Sequence, residues 1–263
     1  MTCSKIYHET PDVKTFVFTA APHTLFSYKP GQFATLHLTI DGKKVVRSYT
    51  ISSTPSRPHM LSVTVKRVPA VAPHPPGLVS NWLHTEFAQG QKIQISGPFG
   101  DFSCHSHPAP KLGLISGGSG VTPMLSMTRW ICDTAAQVEV VFFHVAKTPA
   151  DIVARDELEM LAARHPNIKL VFSLTRQELP CSWSGLRGRI TSPLLDLSVP
   201  DLKERRVFVC GPEPFMTATQ EVLRAYGFPM HNCHEESFGG PSVSQAAPAK
   251  LVDDEPALKF GLT

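Results

Sequence analysis

Over the first hundred residues, apolar and polar positions alternate in short runs, at Lys14–Phe18, Phe33–Leu38 and Leu61–Val65, with Pro and Gly between them. A period of two suits a strand with one buried face, so the segment up to Pro110 is predicted to be an antiparallel β-barrel. One helix is predicted inside it, from Gly77 through Trp82 to Phe87, then a strand at Lys92–Ile95 and a turn at Gly97–Gly100. Beyond Pro110 the texture changes to buried-looking strands, at Leu112–Ile115, Val138–Val145, Ile168–Leu174 and Arg206–Cys210. Helical patterns separate them: after Gly120, over Asp151–Arg164, from Ser192, and over Pro212–Tyr226. Such alternation implies a doubly wound parallel sheet. The predicted fold class is two-domain, an antiparallel β-barrel followed by an α/β doubly wound parallel sheet, at residues 1–109 and 110–238. Residues 239–263 are predicted to be a Pro/Ala/Ser linker that leads, at Leu258, Phe260 and Leu262, into one further strand.

Composition removes several classes of function. The chain has 263 residues, enough for two ordinary cores, and 24 prolines, a number suited to many stiff connections. Its net charge is only +3, and no basic run is present to track a phosphate backbone, so nucleic acid is not an expected partner. The six cysteines are scattered, without the C-x-x-C or C-x4-C-x2-C spacing of a metal or cluster site, so no metal site is expected. No leader and no apolar run of about 18 residues is found, so no membrane span is expected, and reduced thiols make the cytoplasm the default location.

Four phrases carry candidate chemistry. Leu112–Pro123 is an apolar strand, a glycine turn (Gly117, Gly118, Ser119, Gly120) and a helix start with Thr122 and Pro123. Bare backbone N–H groups and a positive helix end can meet a pyrophosphate there, although such turns also serve only to pack a strand on a helix. No Lys-Ser/Thr follows Gly120 and G-x-S-x-G is not met, which disfavours a Walker-type ATP site and removes an esterase elbow. In Arg47-Ser48-Tyr49-Thr50, alternation puts Arg47 and Tyr49 on one face, a cation beside an aromatic plane. Gly77-Leu78-Val79-Ser80 opens the barrel helix as a second anion site, and Cys210-Gly211-Pro212 joins a buried strand to a helix. Each also has a purely architectural reading.

The order of these phrases is more specific than any one alone. With G-P-F-G at Gly97–Gly100, G-L-R-G-R-I at Gly185–Ile190, C-G-P-E-P-F-M at Cys210–Met216 and H-E-E-S-F at His234–Phe238, the chain resembles the ferredoxin-NADP reductase superfamily. Within it, the chain is similar to the NADH oxidoreductases of hybrid-cluster protein and to oxygenase reductases. The resemblance implies FAD and NADH as cofactors. Arg47 would then pair with the flavin pyrophosphate, Tyr49 pack on the isoalloxazine, and Thr50 bond near its reactive nitrogen, with Ser48 beside them. Val65, Lys66 and Arg67 would border the ring, and Gly77, Leu78, Val79 and Ser80 would receive the phosphates. Gly117, Gly118, Ser119 and Gly120 would cradle the pyridine nucleotide, flanked by Pro123, Gly211 and Pro212. Thr122, Cys210 and Glu236 would surround the nicotinamide, and Phe238 would cover the flavin. Arg176 stands where the 2′-phosphate of NADPH could be met, which keeps that alternative open.

The resemblance further implies an iron–sulfur or oxygenase-type acceptor protein, a monomer, and a [2Fe–2S] group carried only by a C-terminal ferredoxin domain missing from this sequence. Two other readings use the same residues: a redox-inactive sensor of nucleotides, and a flavin-free dehydrogenase.

Overall fold

The computed structural model describes residues 1–22, 24–73, 75–176 and 183–238. The expectations for 239–263 lie outside them. The first part runs β1 (Thr2–Thr10), β2 (Val13–Thr19), β3 (Phe33–Ile40), β4 (Lys43–Thr50), β5 (Leu61–Lys66), α1 (Leu78–Thr85) and β6 (Gln94–Phe99). Two three-stranded antiparallel sheets, ordered β1-β2-β5 and β4-β3-β6, enclose Phe16, Phe18, Leu36, Leu38, Ile51 and Val63, and α1 adds Val79 and Leu83. The strands form because their apolar residues fall on the enclosed face at every second position. β4 is an edge strand in which Arg47 lies opposite Leu36 and Tyr49 opposite Ala34. Leu36 and Ala34 are buried, and directly opposed residues share a face, so Arg47 and Tyr49 stand on the core side of an edge where the core runs out.

The second part runs β7 (Lys111–Gly117), α2 (Val121–Asp133), β8 (Glu139–Ala146), α3 (Arg155–Arg164), β9 (Ile168–Leu174), β10 (Leu186–Arg187), α4 (Ser192–Ser198), β11 (Arg206–Gly211), α5 (Glu213–Ala225) and β12 (Cys233–Ser237). Its six strands form one parallel sheet, ordered β10-β9-β8-β7-β11-β12. Even-numbered positions such as Leu114, Phe142 and Phe208 pack with α2 and α3, and odd-numbered ones such as Ile115, Phe143 and Val209 pack with α4 and α5. Both faces are covered, which is why these strands are apolar without alternation. The strand order reverses between β7 and β11, and in such sheets the crevice at the carboxyl ends of the reversing strands receives ligands.

Two predicted elements differ. Gly97–Phe99 is no turn but the end of β6, where a register shift between Phe33 and Thr35 bends the pairing. A Cβ at Gly97 would lie 3.3 Å from the Ala34 Cα, so the glycine serves close strand approach at a bulge. The helix predicted over Asp151–Arg164 is divided: Pro149–Asp151 is a separate 3₁₀ turn closed by a capping box with Thr148, and α3 begins only after Ala154, at φ +52°. β1, β10 and β12 were not among the strands expected from periodicity. Among the described residues no helix is long and apolar enough to cross a membrane.

Candidate functional site

β7 ends at Gly117, Gly118–Gly120 make a 3₁₀ turn, and α2 starts at Val121, so the glycine loop lies at the strand-order reversal. Three of its contacts exclude a side chain. A Cβ at Gly120 would sit 2.1 Å from the Cys210 carbonyl oxygen and 2.5 Å from the Gly211 nitrogen, so the loop rests directly on the β11 backbone. Cβ atoms at Gly117 and Gly211 would lie 2.8 and 2.5 Å from the Phe215 ring, which closes the crevice from below. Gly118 differs: its φ is +53° and a Cβ would meet nothing within 4 Å. The loop therefore offers an open cradle at Gly118, walled by backbone, at the amino end of a helix. Pro123 is buried within the first turn of α2, and the Thr122 hydroxyl donates to the Ser119 carbonyl at 3.1 Å. Pro212 caps α5.

The register of the sheet aligns Ser116, Cys210 and Glu236 on β7, β11 and β12. Cys210 is fully buried, and burial, reinforced by the Glu236 carboxylate, pushes its thiol well above the ordinary value. It is a neutral, compact side chain at this edge and no thiolate nucleophile. Burial also pushes the Glu236 carboxyl up to about 7, against the opposite pull of the Thr50 hydroxyl, which donates to Oε2 at 3.4 Å. Thr50 and Glu236 are 186 positions apart, and their contact places the end of β4 beside the carboxyl end of β12.

A folded-state carboxyl above its unfolded value binds protons that the unfolded chain has released, so this group lowers stability as pH rises between the two values. For Glu236 that window runs from the ordinary carboxylate range to about 7. Glu236→Gln is therefore expected to gain thermal stability relative to the parent as pH goes from 5 to 8. A difference in unfolding midpoint that does not grow over this range would show that Glu236 ionises freely.

On β4, Arg47 is exposed and has no hydrogen-bond or ion-pair partner among the described residues. Burial pushes the Tyr49 phenol up to about 12, with Arg47 pulling the other way, so the two are neighbours. Ser48 points to the opposite face, its hydroxyl 3.0 Å from that of Thr35, so only its backbone is shared with the pair. The Val65 side chain lies inside the barrel core, and its carbonyl lies 2.9 Å from His84 Nε2. Lys66 pairs with Asp12 at 3.1 Å, and Arg67 Nε donates to Asn81 Oδ1 at 2.8 Å. Asn81 in turn donates to the carbonyls of Val68 and Gly77 at 2.7 and 2.8 Å. Asn81 and His84, which no motif marked, thus tie Val65–Arg67 to α1, and Asp12 ties Lys66 and Arg67 to the turn between β1 and β2.

α1 begins after Gly77 with no side-chain cap, and the Ser80 hydroxyl is engaged, donating to the Gly77 carbonyl and accepting from the Val68 N–H. Leu78 is exposed and Val79 buried, so the anion-binding capacity of Gly77–Ser80 lies in backbone N–H groups. Phe238 is exposed just past β12, and Arg176, also exposed, follows β9 with its backbone N–H on the Lys147 carbonyl. A second pair carries no motif either: His144 is completely buried on β8, its Nδ1 2.8 Å from the Ser116 hydroxyl beneath the glycine loop.

A groove of about 980 Å³ is lined by Tyr7, Thr54, Arg57, Arg129, Asp156 and Glu157 among others, and Arg47, Tyr49, Gly118, Cys210 and Glu236 are not in its lining.

An exposed Arg beside a Tyr at the open edge of the barrel is thus joined through Thr50 and Glu236 to a doubly wound sheet with a glycine loop at its strand-order reversal. Residues 1–104 match the family described as oxidoreductase FAD-binding domain, and residues 114–221 the oxidoreductase NAD-binding domain. The chain is 49% identical over 254 residues to the glycine betaine monooxygenase reductase subunit of Chromohalobacter salexigens, covering 96% of this chain and 67% of that protein. It is 47% identical to the subunit of the same description in Pseudomonas aeruginosa PAO1, covering 90% of this chain and 63% of that one. It is also 32% identical to NADH oxidoreductase HCR of Escherichia coli K12, with coverages of 97% and 73%. The chain thus spans about two thirds of the length of these relatives. Among solved structures, the FAD/NAD-binding domain of nitric oxide dioxygenase from Vibrio cholerae superposes with a TM-score of 0.80 at 25% identity, covering 91% of this chain and 98% of that one. The chain belongs to the ferredoxin-reductase-like family of FAD- and NAD-binding oxidoreductases, and it is a flavoprotein NAD(P)H reductase.

The residues present fit both cofactors. The Arg47 guanidinium, without a partner among the described residues, and the start of α1, which no side chain caps, offer two separate anion partners, as a diphosphate needs, and a Cβ at Gly118 would point into open space that a phosphate could occupy.

Proposed function

We propose that this protein takes electrons from NADH through FAD and delivers them to the iron–sulfur centre of an oxygenase-type partner. The contact between Thr50 and Glu236 carries this reading, because it holds the flavin-side strand against the nicotinamide-side sheet edge. FAD, when bound, supplies the conversion of one two-electron delivery into two single-electron steps. Arg47 would grip a flavin phosphate by charge-assisted hydrogen bonds, and Tyr49 would support the ring plane. The N–H groups at the start of α1 would bind the other phosphate, and Gly118–Gly120 the dinucleotide pyrophosphate. Cys210 supplies a small neutral wall that excludes water without competing for charge. Glu236, near 7, can hold a proton at Oε2 at neutral pH and exchange it with the Thr50 hydroxyl. Phe238, exposed beyond β12, is free to swing as a cover.

NADH is favoured over NADPH by the resemblance to NADH oxidoreductases, and Arg176 is the residue that would accept a 2′-phosphate. The division at 109/110, a monomeric state and a cytoplasmic location belong to the same reading, the last supported by five free cysteines among the described residues. An anaerobic titration read at the flavin band tests it. About one equivalent of NADH should bleach the yellow protein, with NADPH less effective. A colourless protein would leave the flavin-free dehydrogenase, and a yellow one that NADH does not bleach would leave the redox-inactive sensor.

A further inference from the structure

We infer that one face of α2, carrying Ser126, Arg129 and Asp133, is a positioning rail for hydride transfer: it grips the segment just after the flavin-side strand and so sets where the glycine loop stands relative to it. This rests on the proposed passage of electrons from nicotinamide to flavin and adds the residues that fix its geometry. The Ser126 hydroxyl donates to the Ser53 carbonyl at 2.6 Å. Arg129 Nη1 donates to the Ser52 carbonyl at 2.5 Å, while its Nε and Nη2 hold both oxygens of Glu157 at 2.8 and 2.6 Å. At the far end, Asp133 receives Arg57 Nε and Nη2 at 2.8 and 2.7 Å and the Ser56 hydroxyl at 2.6 Å. Positions 126, 129 and 133 follow an i, i+3, i+7 spacing, so one helix face makes all these contacts, over a rise of about 10 Å.

The rail is close to the chemistry at both ends. Ser52 follows Thr50 by two residues, and α2 begins directly after Gly120. Apolar contact between the two parts is non-directional and would tolerate sliding, whereas hydrogen bonds to two consecutive backbone carbonyls fix a register. Ser126 is fully buried and the Arg129 side chain only 15% exposed, so these inner contacts are stiff. The outer Arg57–Asp133 pair, with the Arg57 side chain 50% exposed, is screened by water and grips less. Stability alone does not account for a charged cluster here, because apolar residues of similar volume often serve a buried contact as well. What they do not supply is a fixed distance, and a misplacement of about 1 Å at a reacting pair costs on the order of a hundredfold in rate.

Ser126→Ala and Arg129→Met test the rail. Both should retain flavin and bind NAD⁺ within about twofold of the parent, with KM for NADH little changed. The limiting rate of flavin reduction in stopped flow should fall about tenfold to a hundredfold, and amide exchange across 52–57 should accelerate. Arg57→Met should change that rate less than about threefold, as expected of a solvent-screened pair. Should Arg129→Met not fold, Ser126→Ala decides, since it removes a single hydroxyl. Parental limiting rates despite faster exchange would reduce the rail to a structural tie and overturn the inference. A loss of NAD⁺ affinity proportional to the loss of rate would overturn it too. A parent that NADH does not reduce overturns the proposed function and the rail with it, whereas a reducible parent with unchanged variants overturns the rail alone.

Discussion

Gly118→Val is expected to leave the protein yellow while slowing its reduction by NADH at least a hundredfold. At φ +53° a β-branched residue adopts a strained backbone, costing roughly 1–2 kcal/mol, which a domain of ordinary stability survives. The larger effect comes from space. Apart from its chain neighbours, nothing among the described residues lies within 4 Å of a Cβ at this position, so the new side chain projects into the cradle proposed for the pyrophosphate. A hundredfold loss corresponds to about 2.7 kcal/mol, a modest demand on a displaced diphosphate. Gly120→Ala offers a contrast, because its Cβ would meet the Cys210 carbonyl at 2.1 Å and has to push the loop off β11. It should lower the unfolding midpoint as well as the rate, since overpacking against backbone costs about 1–3 kcal/mol. Absorption spectra, stopped-flow reduction and thermal unfolding of the two variants read these effects separately. If Gly118→Val is reduced at the parental rate, the glycine turn only packs strand against helix.

The second large effect is expected from Arg47→Ala, which should weaken flavin retention by roughly tenfold to a hundredfold, the equivalent of about 1.5–3 kcal/mol for a charge-assisted hydrogen bond to phosphate. Arg47 has no partner among the described residues, so its removal strands no carboxylate. The flavin-free variant should therefore unfold at the parental temperature, while the dialysed protein loses its yellow colour. Full flavin occupancy after extensive dialysis would remove Arg47 from the site. A lowered midpoint of the flavin-free variant would show that the guanidinium supports the fold instead.

The chain's local chemistry made a large part of this legible in advance. Alternation at Phe33–Leu38 and Leu61–Val65 marks half-buried strands, and apolar-rich runs without alternation at Leu112–Ile115 and Val140–Phe143 mark strands covered on both faces, because periodicity records which face meets the core. The Gly117–Gly120 loop was equally readable, since bare backbone at a strand-to-helix junction is a local property. Local rules erred at Gly97, where a contact distant in sequence intervened: it looked like a turn residue, yet it serves a bulge against Phe33 and Ala34. They erred also over Asp151–Arg164, where a local capping box between Thr148 and Asp151 closes a separate turn ahead of α3.

Other assignments depended on the chain returning to itself. Parity placed Arg47 and Tyr49 together, but only pairing with Leu36 and Ala34 shows that they look inward at an open barrel edge. Nothing in His234–Phe238 announces a carboxyl near 7, for that value arises from burial beside Thr50, 186 positions away. Asn81, His84, Ser126 and Arg129 belong to no motif, because their roles are hydrogen bonds to backbone carbonyls, and every residue has one. Period, glycine and proline are written in neighbouring residues, so the chain's own order determined most of the elements, the glycine loop and the class of chemistry. Distances, burial and the pairing of charges arise between residues remote in sequence, so the folded packing determined the ionisation of Glu236, the facing of Arg47 and the grip of α2 on Ser52 and Ser53.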